Sequence, residues 1–328
     1  MTVEGDQRTA GAGDGGGPGG ADAVAGFLRG MREGLESGLG PLTAARRSAG
    51  GLPESFRDAL ERTAERMRGD YAEDEWGFDT EFADAVTPAF EFLHDVWWRV
   101  KSTGLDNVPA SGRAMLVANH AGSLFPFDAS MMTAAIRLHH PAPRWPRFMV
   151  LDWAFALPFL SSFMRRVGGV PANPDNATRL LEQDELVMVF PEGVKGTGKP
   201  FSERYRLQRF GRGGFVEVAL RTRSPIVPVA VVGSEEIYPK IADSPSLARM
   251  VGAPFVPITP TFPWLGPLGL VPLPSRWRIE FCEPIDLGDH PPEAADDRQL
   301  VFDLSEQVRE LIQNKLYENL VLRGSAFL

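Results

Sequence analysis

Three short apolar runs, at residues 114–118, 186–190 and 226–232, punctuate the chain, and each is too short to be an ordinary helix. Each ends in residues that suit a loop: Asn119-His120, Pro191-Glu192-Gly193 and Gly233-Ser234-Glu235. They read as buried strands, and residues 277–281 read as a further strand ahead of a C-terminal helix at about 300–316. Helical spacing recurs between them: Phe82, Phe90, Phe92, Leu93 and Trp97 fall within 79–100, a second helix runs from 131 to about His139-His140-Pro141, and an acid-containing one covers 175–183. Residues 148–164 are apolar apart from Asp152 and Ser161-Ser162, but with Pro158 they are too short and too interrupted to span a bilayer, so a buried or interfacial segment is expected. Strands alternating with helices predict an α/β fold, a central and largely parallel sheet flanked by helices with function at the strand ends.

The pattern changes at both ends of this region. Residues 1–22 are glycine-rich and cannot bury enough surface to offset their ordering entropy, so a disordered tail is expected. Over 23–74, Phe27, Leu28, Met31 and Leu35, then Phe56, Leu60, Met67 and Tyr71 beyond Gly50-Gly51-Leu52-Pro53, predict a helical extension ahead of one domain at 75–328. Residues 251–274 carry no charge, yet their seven prolines forbid a continuous helix. Either they cover the core as a loop, or Phe262, Trp264 and Leu265 enter lipid.

Composition narrows the function. The 328 residues are 43% apolar and carry a formal charge of −9, which argues against nucleic acid as a partner. The lone Cys282 sits in a strand-like run, where a small apolar filler is expected rather than a nucleophile. The first residues are polar and glycine-rich where a signal peptide needs an apolar stretch, so a cytoplasmic location is expected. His139 and His140 are adjacent and point to different helix faces, so no metal site is expected there.

Candidate chemistry begins with His120 and Asp128, which share one turn after the first apolar run. A carboxylate on one imidazole nitrogen fixes the tautomer and frees the other to take a proton from a hydroxyl. The same residues also suit a structural histidine followed by an N-cap aspartate. Gly193 to Lys199 fits most of a phosphate-cradling loop, but Pro200 stands where that motif needs a magnesium-holding hydroxyl, and no G-x-S-x-G elbow is present. Lys195, Lys199, Arg204, Arg206, Arg209 and Arg212 are concentrated against the single acid Glu203, forming either a solvated basic face or a phosphate site for coenzyme A or a lipid headgroup.

Asn119-His120 with Asp128, then Phe190-Pro191-Glu192-Gly193, then Val227-Pro228-Val229 resemble, in order, the blocks of the glycerolipid (lysophospholipid) acyltransferases. The flanking Glu75-Trp76-Gly77-Phe78 is similar to a bacterial branch of that superfamily. Seven residues separate His120 from Asp128, as in the branch resembling monoacylglycerol acyltransferases; Lys195 stands where arginine is commoner, and Gly196 replaces a serine. The resemblance implies acyl transfer from acyl-CoA or acyl carrier protein to the hydroxyl of a lipid acceptor, with no other cofactor and no metal. It implies His120 and Asp128 as the catalytic pair, Glu192, Gly193 and Lys195 at the acceptor, Val227 and Pro228 on the acyl wall, and peripheral contact with the inner face of a membrane. Backbone N–H groups near Gly193 become candidates to hold the thioester oxyanion. A non-catalytic lipid-binding scaffold on the same fold is the alternative, favoured by a sealed site or a separated His120 and Asp128.

Overall fold

The structure is a computed structural model and describes residues 30, 33, 37, 47, 74–121, 125–155 and 160–327. The chain divides into two compact units, Met1–Arg57 and Asp58–Leu328. In the first, the Ser37 N–H donates to the Glu33 carbonyl at 3.0 Å. The tail expected over 1–22, and nearly all of the helical extension expected over 23–74, lie outside the described residues.

The second unit is built on strands β1 (Lys101–Thr103), β2 (Ala114–Ala118), β3 (Arg147–Val150), β4 (Gly169–Pro171), β5 (Leu186–Val189) and β6 (Ile226–Val232). Two-residue strands β7 (Ala242–Asp243) and β8 (Pro257–Ile258) pair by themselves, and β9 (Arg278–Phe281) rejoins the main sheet. The order is β1-β9-β6-β2-β5-β3-β4. β6, β2, β5, β3 and β4 run parallel, while β9 is antiparallel to β6 and β1 is parallel to β9. The largely parallel sheet expected from the apolar runs is present, and its central strands are apolar at every position because both faces are covered.

One face packs against α1 (Thr80–Glu91), α2 (Phe127–His139) and α3 (Leu160–Arg166), where Phe82, Met131, Met132 and Met164 meet Leu116, Met188 and Val229. On the other face α4 (Pro174–Glu182) and α5 (Gly214–Thr222) set Leu180, Val216 and Leu220 against Met115, Val187 and Ile226. Alternate residues of each strand therefore enter opposite cores, as the two-residue period of a strand requires. After the short α6 (Pro245–Val251), the long α7 (Arg298–Arg323) completes the second face through Val308 and Ile312.

Three boundaries differ from expectation. Residues 148–164 are not one element: they hold the end of β3, a single α-helical turn at Asp152–Phe155 and the start of α3. α2 begins at Phe127, and α7 runs on to Arg323. α5 was not foreseen, because it follows a run of arginines and Gly213-Gly214 rather than a clear capping signal.

The connections place the site. From β2 the chain proceeds through α2 toward β3, whereas from β6 it proceeds toward β9 on the opposite side. The carboxyl ends of β2 and β6 therefore border a topological switch point, where ligands of such sheets bind.

Candidate active site

At the end of β2, the buried Asn119 side chain donates to the Val231 carbonyl at 2.9 Å and accepts from the Val231 N–H at 2.8 Å. This exchange pins the strand end to β6, and His120 then leaves the sheet. His120 Nδ1 lies 2.7 Å from Asp128 Oδ2. That oxygen also accepts the Ala121 N–H at 2.9 Å, and Oδ1 accepts the Ala129 N–H at 2.9 Å. Asp128 is fully buried, at the second residue of α2. It does not cap the helix: Pro126 occupies the cap position and no side chain caps there.

A carboxylate only accepts, so Nδ1 must carry the hydrogen and Nε2 is left with its lone pair. Among the described residues Nε2 has no hydrogen-bond partner. The imidazole stacks on Phe190, with centroids 4.6 Å apart and the planes at 29°, and its side chain is 16% exposed.

Behind the histidine is a buried ionic brace. Glu192 Oε1 accepts the His120 N–H at 3.0 Å, while Oε2 accepts the Gln208 N–H at 2.7 Å and lies 3.4 Å from Lys199 Nζ. Lys199 also donates to Glu235 Oε1 and to the Arg206 carbonyl, both at 3.1 Å. Burial pushes the Glu235 carboxyl up to about 7, against the opposing pull of Lys199. Two expectations are corrected here. Glu192 turns both oxygens inward and is not available to an acceptor, and Lys199 spends its charge on two carboxylates instead of a phosphate. Gly196 makes the brace possible, since a Cβ there would lie 2.7 Å from Glu192 Cβ and 2.8 Å from the His120 carbonyl oxygen.

His120 stands on the wall of an apolar groove of about 300 Å³. The groove passes between the sheet and its helices, with Met115, Met149, Val189 and Phe190 on strands or strand ends and Phe215 and Val218 on α5. Sequence reasoning did not single out these side chains; the available signal was the second face of the strands' two-residue alternation. Gly193 lines the groove, but its own N–H donates to the Phe190 carbonyl at 3.0 Å and is not free for an oxyanion. Val227 and Pro228 do not line it: they are buried in β6 beside Leu116 and Val117, which corrects their expected place on the acyl wall.

The basic run divides. Arg212 lines the groove, Lys195 and Arg209 are exposed, and Arg204 and Arg206 border a separate depression. Cys282 is buried and its thiol is pushed up to about 12 by that burial, which suits a core filler. His140 bonds the Val108 and Ala142 carbonyls, whereas His139 comes together with His94 and Asp95 at the far end of α2 from Asp128.

A family model described as Acyltransferase matches residues 99–232, the stretch that holds His120, Asp128, Glu192 and β6. An uncharacterized protein of Mycobacterium tuberculosis (strain ATCC 25618 / H37Rv) is 51% identical over 264 residues, 80% of this chain and 74% of that protein. The chain belongs to the acyltransferase family. This acyltransferase is also 24% identical over 134 residues, 41% of its own length and 39% of the other's, to the DGAT1/2-independent enzyme synthesizing storage lipids of Bos taurus. Among solved structures, the 1-acyl-sn-glycerophosphate (LPA) acyltransferase PlsC from Thermotoga maritima shares the fold, with a TM-score of 0.51 at 18% identity over 93% of this chain and 98% of that one.

Proposed function

We propose that this acyltransferase moves a fatty acyl group from the thioester of acyl-CoA or acyl carrier protein to a hydroxyl of a (lyso)glycerolipid or related lipid acceptor. The observation that carries the reading is His120, bonded through Nδ1 to buried Asp128 at 2.7 Å, with Nε2 unpartnered among the described residues on the wall of an apolar groove. Nε2 takes the acceptor's hydroxyl proton as the oxygen attacks the thioester carbonyl. The carbon–sulfur bond then breaks, and the imidazolium gives its proton to the leaving thiolate. Asp128 orients the ring and stabilises its charged form, so the route uses no covalent enzyme intermediate and no further cofactor.

The groove's apolar lining and its volume, at the low end for small-molecule sites, suit part of an acyl chain. Exposed Lys195, which has no ion-pair partner among the described residues, is available to an acceptor headgroup as a point charge, without the bidentate geometry of arginine. No helix of the described residues is long and apolar enough to cross a membrane. Contact with a bilayer-resident acceptor is therefore assigned to the surface, through the charge-free segment at 251–274. A scaffold without catalysis is disfavoured, because the dyad is bonded and the groove is open.

The test is to incubate the purified protein with acyl-CoA or acyl carrier protein thioesters and a panel of lipid acceptors, then follow new esters by mass spectrometry. Ester formation that disappears in His120→Ala supports the reading; esters formed equally by a folded His120→Ala protein reject it.

A further inference from the structure

Beyond α1 the chain buries a histidine far from the dyad. Residues Phe92–Trp97 form a π-helical turn, closed by the Trp98 N–H on the Leu93 carbonyl at 2.9 Å. Such turns carry one residue more than an α-helix and are frequent at functional sites. His94 lies inside it, 1% exposed. Its Nδ1 bonds Asp95 Oδ1 at 2.6 Å, while its buried Nε2 has no hydrogen-bond partner among the described residues. His139, the last residue of α2, completes the cluster. Its ring centroid is 5.1 Å from that of His94, and its Nε2 is 3.9 Å from the same Asp95 oxygen.

Two imidazoles and one carboxylate, each offering a ligand atom within 4.8 Å of the others, form a donor set for a transition metal ion. Calcium and magnesium favour oxygen ligands, so the nitrogen atoms select against them. A tetrahedral zinc ion with bonds of about 2.0–2.1 Å holds its ligands roughly 3.3 Å apart, a separation that the observed 2.6 and 3.9 Å straddle. The adjustment falls to Asp95 and His139, whose side chains are 46% and 47% exposed, and the same exposure admits water as a further ligand. The C-terminal end of α2, where His139 sits, favours a cation. Arg137 is turned elsewhere: it bonds Asp84 at 3.0 Å and lies over the Trp145 ring.

We propose that His94, Asp95 and His139 bind a zinc ion, with water as the fourth ligand, and that the ion fastens the end of α2 to the π-helical turn. The same segment already grips the start of α2. Trp98 packs edge-on against Phe127, the residue before Asp128, with centroids 5.0 Å apart. Zinc at His139 adds a second tie, roughly 16 Å along the helix from Asp128. Its role is to stabilise the helix that carries the dyad, and it takes no part in the reaction. His140 does not join the site, because both of its ring nitrogens face backbone carbonyls, those of Ala142 and Val108. The assignment stands apart from the acyl-transfer reading and does not depend on it.

The test titrates zinc chloride by calorimetry into the untagged full-length protein after treatment with a chelator. One equivalent should bind saturably, and the melting temperature should rise with zinc, as it does for a ligand that binds only the folded state. His139→Ala and Asp95→Ala, both exposed changes that spare the core, should each weaken binding at least about 10-fold, since even the outer partners of metal ligands are worth that much. Melting curves without zinc check that these variants fold. Cobalt(II) should give the visible absorption of a tetrahedral ion in the wild type and not in His139→Ala. His120→Ala should bind zinc as the wild type does, which separates this site from the dyad. No saturable binding to the wild type, wild-type affinity in both His139→Ala and Asp95→Ala, or loss of binding in a folded His120→Ala protein would overturn the proposal.

Discussion

Asp128 meets three donors with two oxygens, and that crowding decides what a single-atom change does. In Asp128→Asn an amide NH₂ replaces one acceptor, so it must face the His120 Nδ1–H and Ala121 N–H or the Ala129 N–H. Either orientation sets donor against donor. We expect kcat to fall and the melting temperature to fall with it, since a buried donor is left without an acceptor; unchanged kinetics in a folded variant would return Asp128 to a purely structural role. His120→Ala should lose roughly 10²- to 10⁴-fold, the usual worth of a general base, and circular dichroism should show an intact fold. Gly196→Ser restores the commoner residue of the resembling family but places its Cβ against the His120 carbonyl, so activity should drop even though no polar contact is removed. His120 and Asp128 were legible because their chemistry needs a fixed pair in one turn. Glu192 was misread because a sequence shows which residue ends a strand but not which way its carboxylate turns.

Charges that look alike along an element part company once the element packs. Lys199 and Arg212 belong to one basic run, yet Lys199 is sealed between Glu192 and Glu235 while Arg212 stays in solvent. Nothing in the run itself signals this, because Glu235 arrives from the end of a different strand. The strands were legible for the opposite reason, since their burial is written in consecutive apolar residues. Glu235 gives the brace a pH signature. Its carboxyl is raised from 4.5 to about 7 by burial, so between those values the folded state holds a proton that the unfolded state has released. Its contribution to stability is complete below about pH 4.5 and is lost as pH rises through about 7, an effect on the order of a few kcal/mol. Wild type should therefore lose melting temperature between about pH 5 and 8 relative to Glu235→Gln, whose amide has no such proton to lose. Parallel curves for the two proteins would show that Glu235 does not titrate in that window.

At the scale of the molecule, the two readings of residues 251–274 can both be located. The base of this lobe is core: Phe255, Val256 and Thr259 are buried, and Thr259 Oγ1 accepts the Phe262 N–H at 2.9 Å. Its tip is not, for Trp264 is 75% exposed and Leu265 57%, with Met250 of α6 and Ile241 also in solvent. Phe262, grouped with them on sequence, is half-buried and shares a small pocket with Phe125 and Tyr238. Phe125 lies in the loop between His120 and Asp128, so the lobe abuts the turn that carries the dyad. A tip with a large indole and no charge suits the interfacial zone of a bilayer, where an apolar ring keeps one polar group wet. The substitutions to test are accordingly Met250, Trp264 and Leu265 together to serine, leaving Phe262 in place because it supports the turn from within. The triple variant should fold, bind liposomes more weakly and slow transfer to an acceptor held in a bilayer, while a short-chain soluble acceptor is still used. Trp264 fluorescence should shift to the blue as the wild type meets liposomes. If that emission stays unchanged and the triple variant sediments with liposomes as well as wild type does, the lobe is only a cover for the core and bilayer contact belongs to another surface.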